Sequence, residues 1–155
     1  MDQEEIIAFV SASGPVRVDR ASEESGAPPV AWGDTFFTYD PGGKGEDRGF
    51  QPFATIVTKD YPGFDTASDL DRPGVFRVNM AVGRVAFTER MGRSPAEYSA
   101  EGGDVDHAEI DRLLPHPVYA AQGWVSVVSP GPRTAEATRE LLRLALERAV
   151  SRHRP

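Results

Sequence analysis

Residues 75–82, Val-Phe-Arg-Val-Asn-Met-Ala-Val, alternate with a period of two, and this constrains the fold more than any other stretch of the chain. Phe76, Val78, Met80 and Val82 fall on one side; Val75, Arg77, Asn79 and Ala81 fall on the other. That period belongs to a strand with two unlike faces. The first face is apolar throughout and belongs to a core. The second sets a guanidinium and a carboxamide in mid-strand, where each must find a partner or line a wet cleft. Pro73-Gly74 marks the turn that begins the strand. A functional site, if there is one, is expected on the Arg77/Asn79 face.

The other elements follow from local signals. Asp2-x-x-Glu5 has the form of a capping box, and Ile6, Ile7, Phe9 and Val10 recur at helical spacing, so a helix is expected over residues 3–11. Residues 16–19 are a candidate first strand. Residues 21–29 carry no periodicity and read as a mobile loop. Residues 34–39 and 53–58 are rich in aromatic and β-branched types and read as strands. Residues 40–45 between them read as a hairpin tip: they lack the G-x-x-x-x-G-K-[ST] spacing of a phosphate loop. Three strands joined by turns, with no helix between them, suggest an antiparallel meander.

A helix is expected over residues 84–91, stopped by Gly92. A second, short one is expected after Ser94-Pro95-Ala96-Glu97 and cut off by Gly102-Gly103. A further helical turn is expected within residues 104–114, ending at Pro115. Residues 123–128 form a last strand bearing Trp124. The final helix, capped by Thr134, carries Leu141, Leu142, Ala145, Leu146 and Ala149 on one stripe and charged residues on the other. Arg148, Arg152, His153 and Arg154 gather at its C-terminus, where the macrodipole favours cations. The fold class is therefore α+β: a twisted antiparallel sheet with N- and C-terminal helices on one face, in a single domain spanning 1–155.

Composition removes several functions. With 155 residues, 39% hydrophobic and 26% charged, the chain can bury a core of ordinary size. Its formal net charge of −7 disfavours general nucleic-acid binding and adsorption to anionic membranes. No nucleic-acid or membrane partner is expected, and the state is expected to be monomer or homodimer. The absence of cysteine excludes disulfides, thiolate catalysis and cysteine-ligated metal. No membrane span or signal peptide is visible, so a cytoplasmic location is the expectation.

Four stretches together resemble a bacterial family of unknown function, DUF6194: Gly-Asp-Thr-Phe-Phe-Thr-Tyr-Asp (33–40), Phe-Ala-Thr-Ile-Val-Thr (53–58), Ser-Asp-Leu-Asp-Arg-Pro-Gly-Val-Phe-Arg-Val-Asn (68–79), and Leu-Pro-His-Pro-Val-Tyr (114–119) with Gly-Trp-Val (123–125). The resemblance covers most of the chain, with residues 21–29 like an insertion, and implies no activity. More distantly, the element order is similar to that of MmcQ/YjbR-like proteins. That resemblance implies a CyaY-like fold and, in some members, DNA binding; this chain departs from the pattern in being acidic.

Among single residues, His116 is the candidate catalytic group. It lies between Pro115 and Pro117 on a stiffened loop, and histidine moves protons near neutral pH. The plainer role is to order the turn into the Trp124 strand. Arg77 and Asn79 could fix a small anion or carbonyl; equally, Arg77 could pair with Asp69, Asp71 or Asp34 to satisfy its strand. Trp124, Tyr119, Tyr39 and Phe36 could wall a pocket or fill a core. Asp104, Asp106, His107 and Glu109 match no known metal-loop spacing and read as a solvated acidic loop, so no metal and no cofactor are expected. Three functions remain open. One is a small-molecule-binding or accessory domain with a polar pocket near Arg77, Asn79, His116 and Trp124. Another is a metal-independent enzyme using His116 as general acid or base on a small anionic substrate. A nucleic-acid-binding module is the third, which the charge disfavours.

Overall fold

A computed structural model describes residues 1–43, 51–101 and 105–153, the last three of the middle segment by backbone alone. It is an α+β fold built on one antiparallel sheet. The strands are β1 (Val16–Arg20), β2 (Thr35–Tyr39), β3 (Ala54–Val57), β4 (Arg77–Ala81), β5 (Leu113–Pro115) and β6 (Trp124–Val128). Their order across the sheet is β1-β2-β3-β4-β6-β5. The first four run as a meander, one strand longer than the three expected, and β6 joins them before the chain's fifth strand closes the far edge. The helices are α1 (Gln3–Ser11), α2 (Gly83–Met91), α3 (Pro95–Glu101) and α4 (Ala135–Arg152).

The alternation in β4 sorts the two faces. Phe76, Val78, Met80 and Val82 join Phe37, Ile56, Val125 and Val127 of neighbouring strands in one apolar cluster. Against it pack Ile6 and Val10 of α1, Phe87 of α2, and Leu141, Leu142, Ala145 and Leu146 of α4. Each fully buried Leu or Ile of this kind stabilises by about 1.5–3 kcal/mol through lost apolar exposure, so this face alone fixes the register of the sheet. The capping box at Asp2 forms in both directions: Glu5 N–H donates to Asp2 Oδ1 at 2.8 Å and Asp2 N–H to Glu5 Oε1 at 3.3 Å. Gly92 ends α2 in the left-handed conformation, at φ 78°.

Two local expectations fail. The helical turn expected within 104–114 is instead a turn leading into β5, bridged at Ile110 to Val128. A three-residue strand with proline at its end carries almost no periodicity, and Pro115 is tolerated because β5 is an edge strand. Thr134 does precede α4, but its side chain makes no capping bond to the helix. Asp111, from a distant turn, instead fastens the loop that leads into the helix. Its carboxylate accepts from Gly131, Arg133 and Thr134 N–H at 2.8, 3.0 and 3.0 Å and from the Thr134 hydroxyl at 2.5 Å. Within residues 21–29 reciprocal Ser22–Ser25 bonds close a turn. The expected hairpin tip at 40–45 and the Gly102-Gly103 stop lie partly or wholly outside the described residues, as do Asp104 and Arg154.

Candidate functional site

The second face of the sheet is polar at its centre. Register aligns Thr55, Asn79 and Ser126 across β3, β4 and β6, with Val57, Arg77 and Val128 in the next row. Residues 59–75 fold over it, placing Leu70 on Val57 and Val128. Beneath this cover every expected polar group is engaged. Asn79 Oδ1 accepts from Arg77 Nε at 2.7 Å and from Ser126 Oγ at 2.8 Å, and Asn79 Nδ2 donates to Thr55 Oγ1 at 2.9 Å. Arg77 Nη1 donates to Asp65 Oδ1 at 3.1 Å and Ser68 Oγ at 2.8 Å, while Nη2 donates to Asp65 Oδ2 at 2.6 Å.

Asp65, not the expected aspartates, is therefore the partner of Arg77. The Tyr61–Asp65 bridge turns the cover back so that this carboxylate points down onto β4. Asp34 is buried too, but it accepts from Thr58 N–H, from the Thr58 hydroxyl and from the Tyr61 hydroxyl. Asp71 holds Asp60 N–H, and Asp69 pairs with Arg72. Burial pushes the Asp65 carboxyl up, but the hydrogen bonds and charge of Arg77 outweigh it and hold the group below its ordinary value.

His116 lies at the edge of this layer, 4% exposed. Its Nδ1 accepts from Val118 and Tyr119 N–H, both at 2.9 Å. An accepting Nδ1 carries no proton, so the ring is the neutral tautomer with its hydrogen on Nε2. Burial, and then the nearby Arg77 charge, lower its pKa to about 3. The imidazole is thus a fixed turn-ordering group at neutral pH, poorly matched to proton transfer there. It also backs two aromatic rings, with centroids 5.0 Å from Tyr119 and 6.2 Å from Trp124. His107 turns inward to the same layer: burial and then the Arg77 charge lower its pKa, and its buried Nδ1 has no partner among the described residues. Its acidic neighbours turn elsewhere, Asp106 to Ala108 N–H and Glu109 to Arg112. Among the described residues no group of three or more His, Asp and Glu side chains is placed to hold a metal ion.

The family model of DUF6194, a family of unknown function, matches residues 1–155. The chain is a member of DUF6194. No curated protein and no solved structure matches it. No comparison supports the remoter likeness to YjbR-like proteins. No helix among the described residues is long and apolar enough to cross a membrane.

Tyr119 and Trp124, the two expected binding aromatics, part company with the locked layer in this DUF6194 chain. They line a cleft of about 660 Å³ at the end of the sheet, where β4 stops and β6 begins. Phe36 and Thr55 line it from the second face, and Arg148 and Arg152 from the C-terminal half of α4. Thr55 joins the cleft to the buried layer through its bond from Asn79. Tyr39 is not a cleft wall: it packs against the core and stacks near His153, with centroids 6.2 Å apart. Of the residues named from the sequence, Phe36, Tyr119 and Trp124 line the cleft, whereas Arg77, Asn79 and His116 lie in the buried layer beside it. The sequence reading missed Asp65, Thr55, Ser126 and the two arginines. Only the arginines left a signal, and it read as compensation of a helix dipole.

Proposed function

We propose that this protein binds a small molecule in the cleft walled by Phe36, Tyr119 and Trp124. One observation carries the reading: three aromatic side chains from separate segments converge on a concave space whose size lies in the range of small-ligand sites. Aromatic residues that merely fill a core are buried, whereas Tyr119 is 40% exposed. Arg77 and Asn79 do not serve as ligand contacts in this scheme. Their bonding capacity is taken up by Asp65, Ser68, Thr55 and Ser126, and their task is to hold the floor rigid. His116 positions Tyr119 by accepting from the two N–H groups that flank the Val118 Cα. General acid–base catalysis by His116 gains no support from an imidazole with Nδ1 engaged and a pKa so far below neutrality.

A thermal-shift screen against a metabolite library tests the proposal, run on the native chain and on Trp124→Leu and Arg77→Met variants. A ligand that binds only the folded protein at a hundredfold excess over its Kd stabilises it by about 2.7 kcal/mol. The expected result is a set of ligands that raise the Tm of the native chain and not that of Trp124→Leu. Hits that survive Trp124→Leu would move the site elsewhere on the surface.

A further inference from the structure

We infer that the ligand of this cleft is a planar anion, a flat ring system bearing a carboxylate or phosphate, with Arg148 and Arg152 holding the charged group and the aromatic wall holding the ring. This rests on the cleft being a binding site and adds the chemical class of its occupant.

Arg148 is the better-defined of the two cations. Its Nη1 donates to Ala81 O on β4 at 2.9 Å, so the side chain is anchored to the sheet and not to a carbonyl of its own helix. The guanidinium lies on Gly83, where an added Cβ would stand 2.5 Å from Nε and 2.6 Å from Cζ. Gly83 is in turn held on Gly123, whose carbonyl accepts from Val82 N–H at 3.1 Å and Gly83 N–H at 3.0 Å. Both glycines have φ 83°, and a Cβ on Gly123 would meet the Gly83 backbone at 2.9 Å. Two left-handed glycines in contact thus open the seat in which the guanidinium lies.

Arg152 stands one helical turn further on, exposed, and faces the same cleft. The arginines repel: burial first, and then the Arg152 charge, push Arg148 below its ordinary value. None of the described lining residues is an aspartate or glutamate, although the chain carries 24 acidic residues. Compensation of the α4 dipole explains a cation in the last turn. It does not explain a second one turned off the helix onto β4 beside an aromatic wall. An oxyanion between two guanidinium forks relieves their repulsion and receives paired N–H donors. A ring attached to it would lie against Trp124, Tyr119 or Phe36.

The test uses Trp124 fluorescence in a Trp32→Phe background, Trp32 being the only other tryptophan and an exposed one. Paired probes are titrated, each ring with and without its charged group: indole-3-carboxylate against indole, benzoate against benzyl alcohol, and adenosine 5′-monophosphate against adenosine. Melting temperatures are recorded alongside. At least one charged probe is expected to quench Trp124 with a Kd tenfold or more below that of its neutral parent. Arg152→Ala and Arg148→Met should each erase that margin, with the neutral parent binding as before and Arg152→Lys keeping most of it. Equal binding of charged and neutral members, indifferent to both arginine variants, overturns the anion and leaves the cleft standing as an apolar site. No quenching and no stabilisation by any probe overturns both.

Discussion

Arg77 and Asp65, twelve residues apart in the chain, meet through two parallel bonds, Nη2–Oδ2 at 2.6 Å and Nη1–Oδ1 at 3.1 Å, and both side chains are almost wholly removed from solvent. A buried pair of this kind is costly to break from one side, because the survivor is left charged and unpaired. Asp65→Ala is expected to destabilise the fold by about 3–5 kcal/mol. The double variant Arg77→Met/Asp65→Leu, which removes both charges and keeps apolar bulk, should lose clearly less. Urea unfolding of the native chain, Asp65→Leu, Arg77→Met and the double variant measures the coupling. If the double variant loses the sum of the two single losses, the pair does not act as a unit.

Acid should weaken the fold through two carboxylates. Asp65 and Asp111 are both opposed by desolvation and both end below their ordinary value. Arg77 brings Asp65 down; the Thr134 hydroxyl and the Gly131, Arg133 and Thr134 N–H groups bring Asp111 down. A lowered folded pKa means that the stability these groups contribute is present above about pH 4 and is lost as pH falls through the folded value. Asp111→Asn should cost about 2 kcal/mol at pH 7 and much less at pH 2, where the native carboxyl is itself protonated. A loss of equal size at both pH values would show that the carboxylate's charge is irrelevant to holding the start of α4.

His116 titrates in the opposite chemical sense with the same outward sign. Its folded pKa is depressed to about 3 against an ordinary value of 6.5. Between those values the unfolded chain binds a proton that the folded chain refuses. The contribution of the neutral ring is therefore complete above about pH 6.5 and drains away as pH falls. His116→Asn, whose carbonyl oxygen can stand in for Nδ1, should melt near the native temperature at pH 8 and show a shallower decline towards pH 5. His116→Ala should melt lower at both. Nitrogen NMR shifts that place the His116 proton on Nδ1 at pH 7 would sink this account.

Gly123→Ala is expected to be among the most damaging single-methyl additions in the chain. It combines a strained left-handed residue with a 2.9 Å contact to the Gly83 backbone. The expected loss is about 2 kcal/mol or more. Gly26→Ala, also left-handed but facing open space, should lose only about 1 kcal/mol from backbone conformation. Comparison of the two melting temperatures separates close approach from conformation.

Much of the scaffold was legible because it is written in short-range chemistry. The period of two in residues 75–82, the capping box at Asp2 and the stripe of α4 each depend on residues within a few positions of one another. β5 escaped because three residues ending in proline hold no period, and its strand character comes wholly from pairing with β6. The anchor of the loop before α4 escaped because Asp111 lies about twenty residues upstream of the loop it fastens.

By itself the sequence determined that a strand through Arg77 and Asn79 has one apolar and one polar face, and that the polar side chains must be answered. Alternation dictates that much, since burying an unpaired guanidinium is prohibitive. Tertiary structure alone decided what answers them. Asp34, Asp69 and Asp71 stood as candidates, and a fourth, Asp65, won because the 61–65 turn swings it onto the strand while the others bond elsewhere. The same choice moved the candidate site. Once Arg77, Asn79 and His116 were satisfied internally, the groups facing solvent were Tyr119, Trp124, Arg148 and Arg152, brought together only where the end of the sheet meets the end of the last helix.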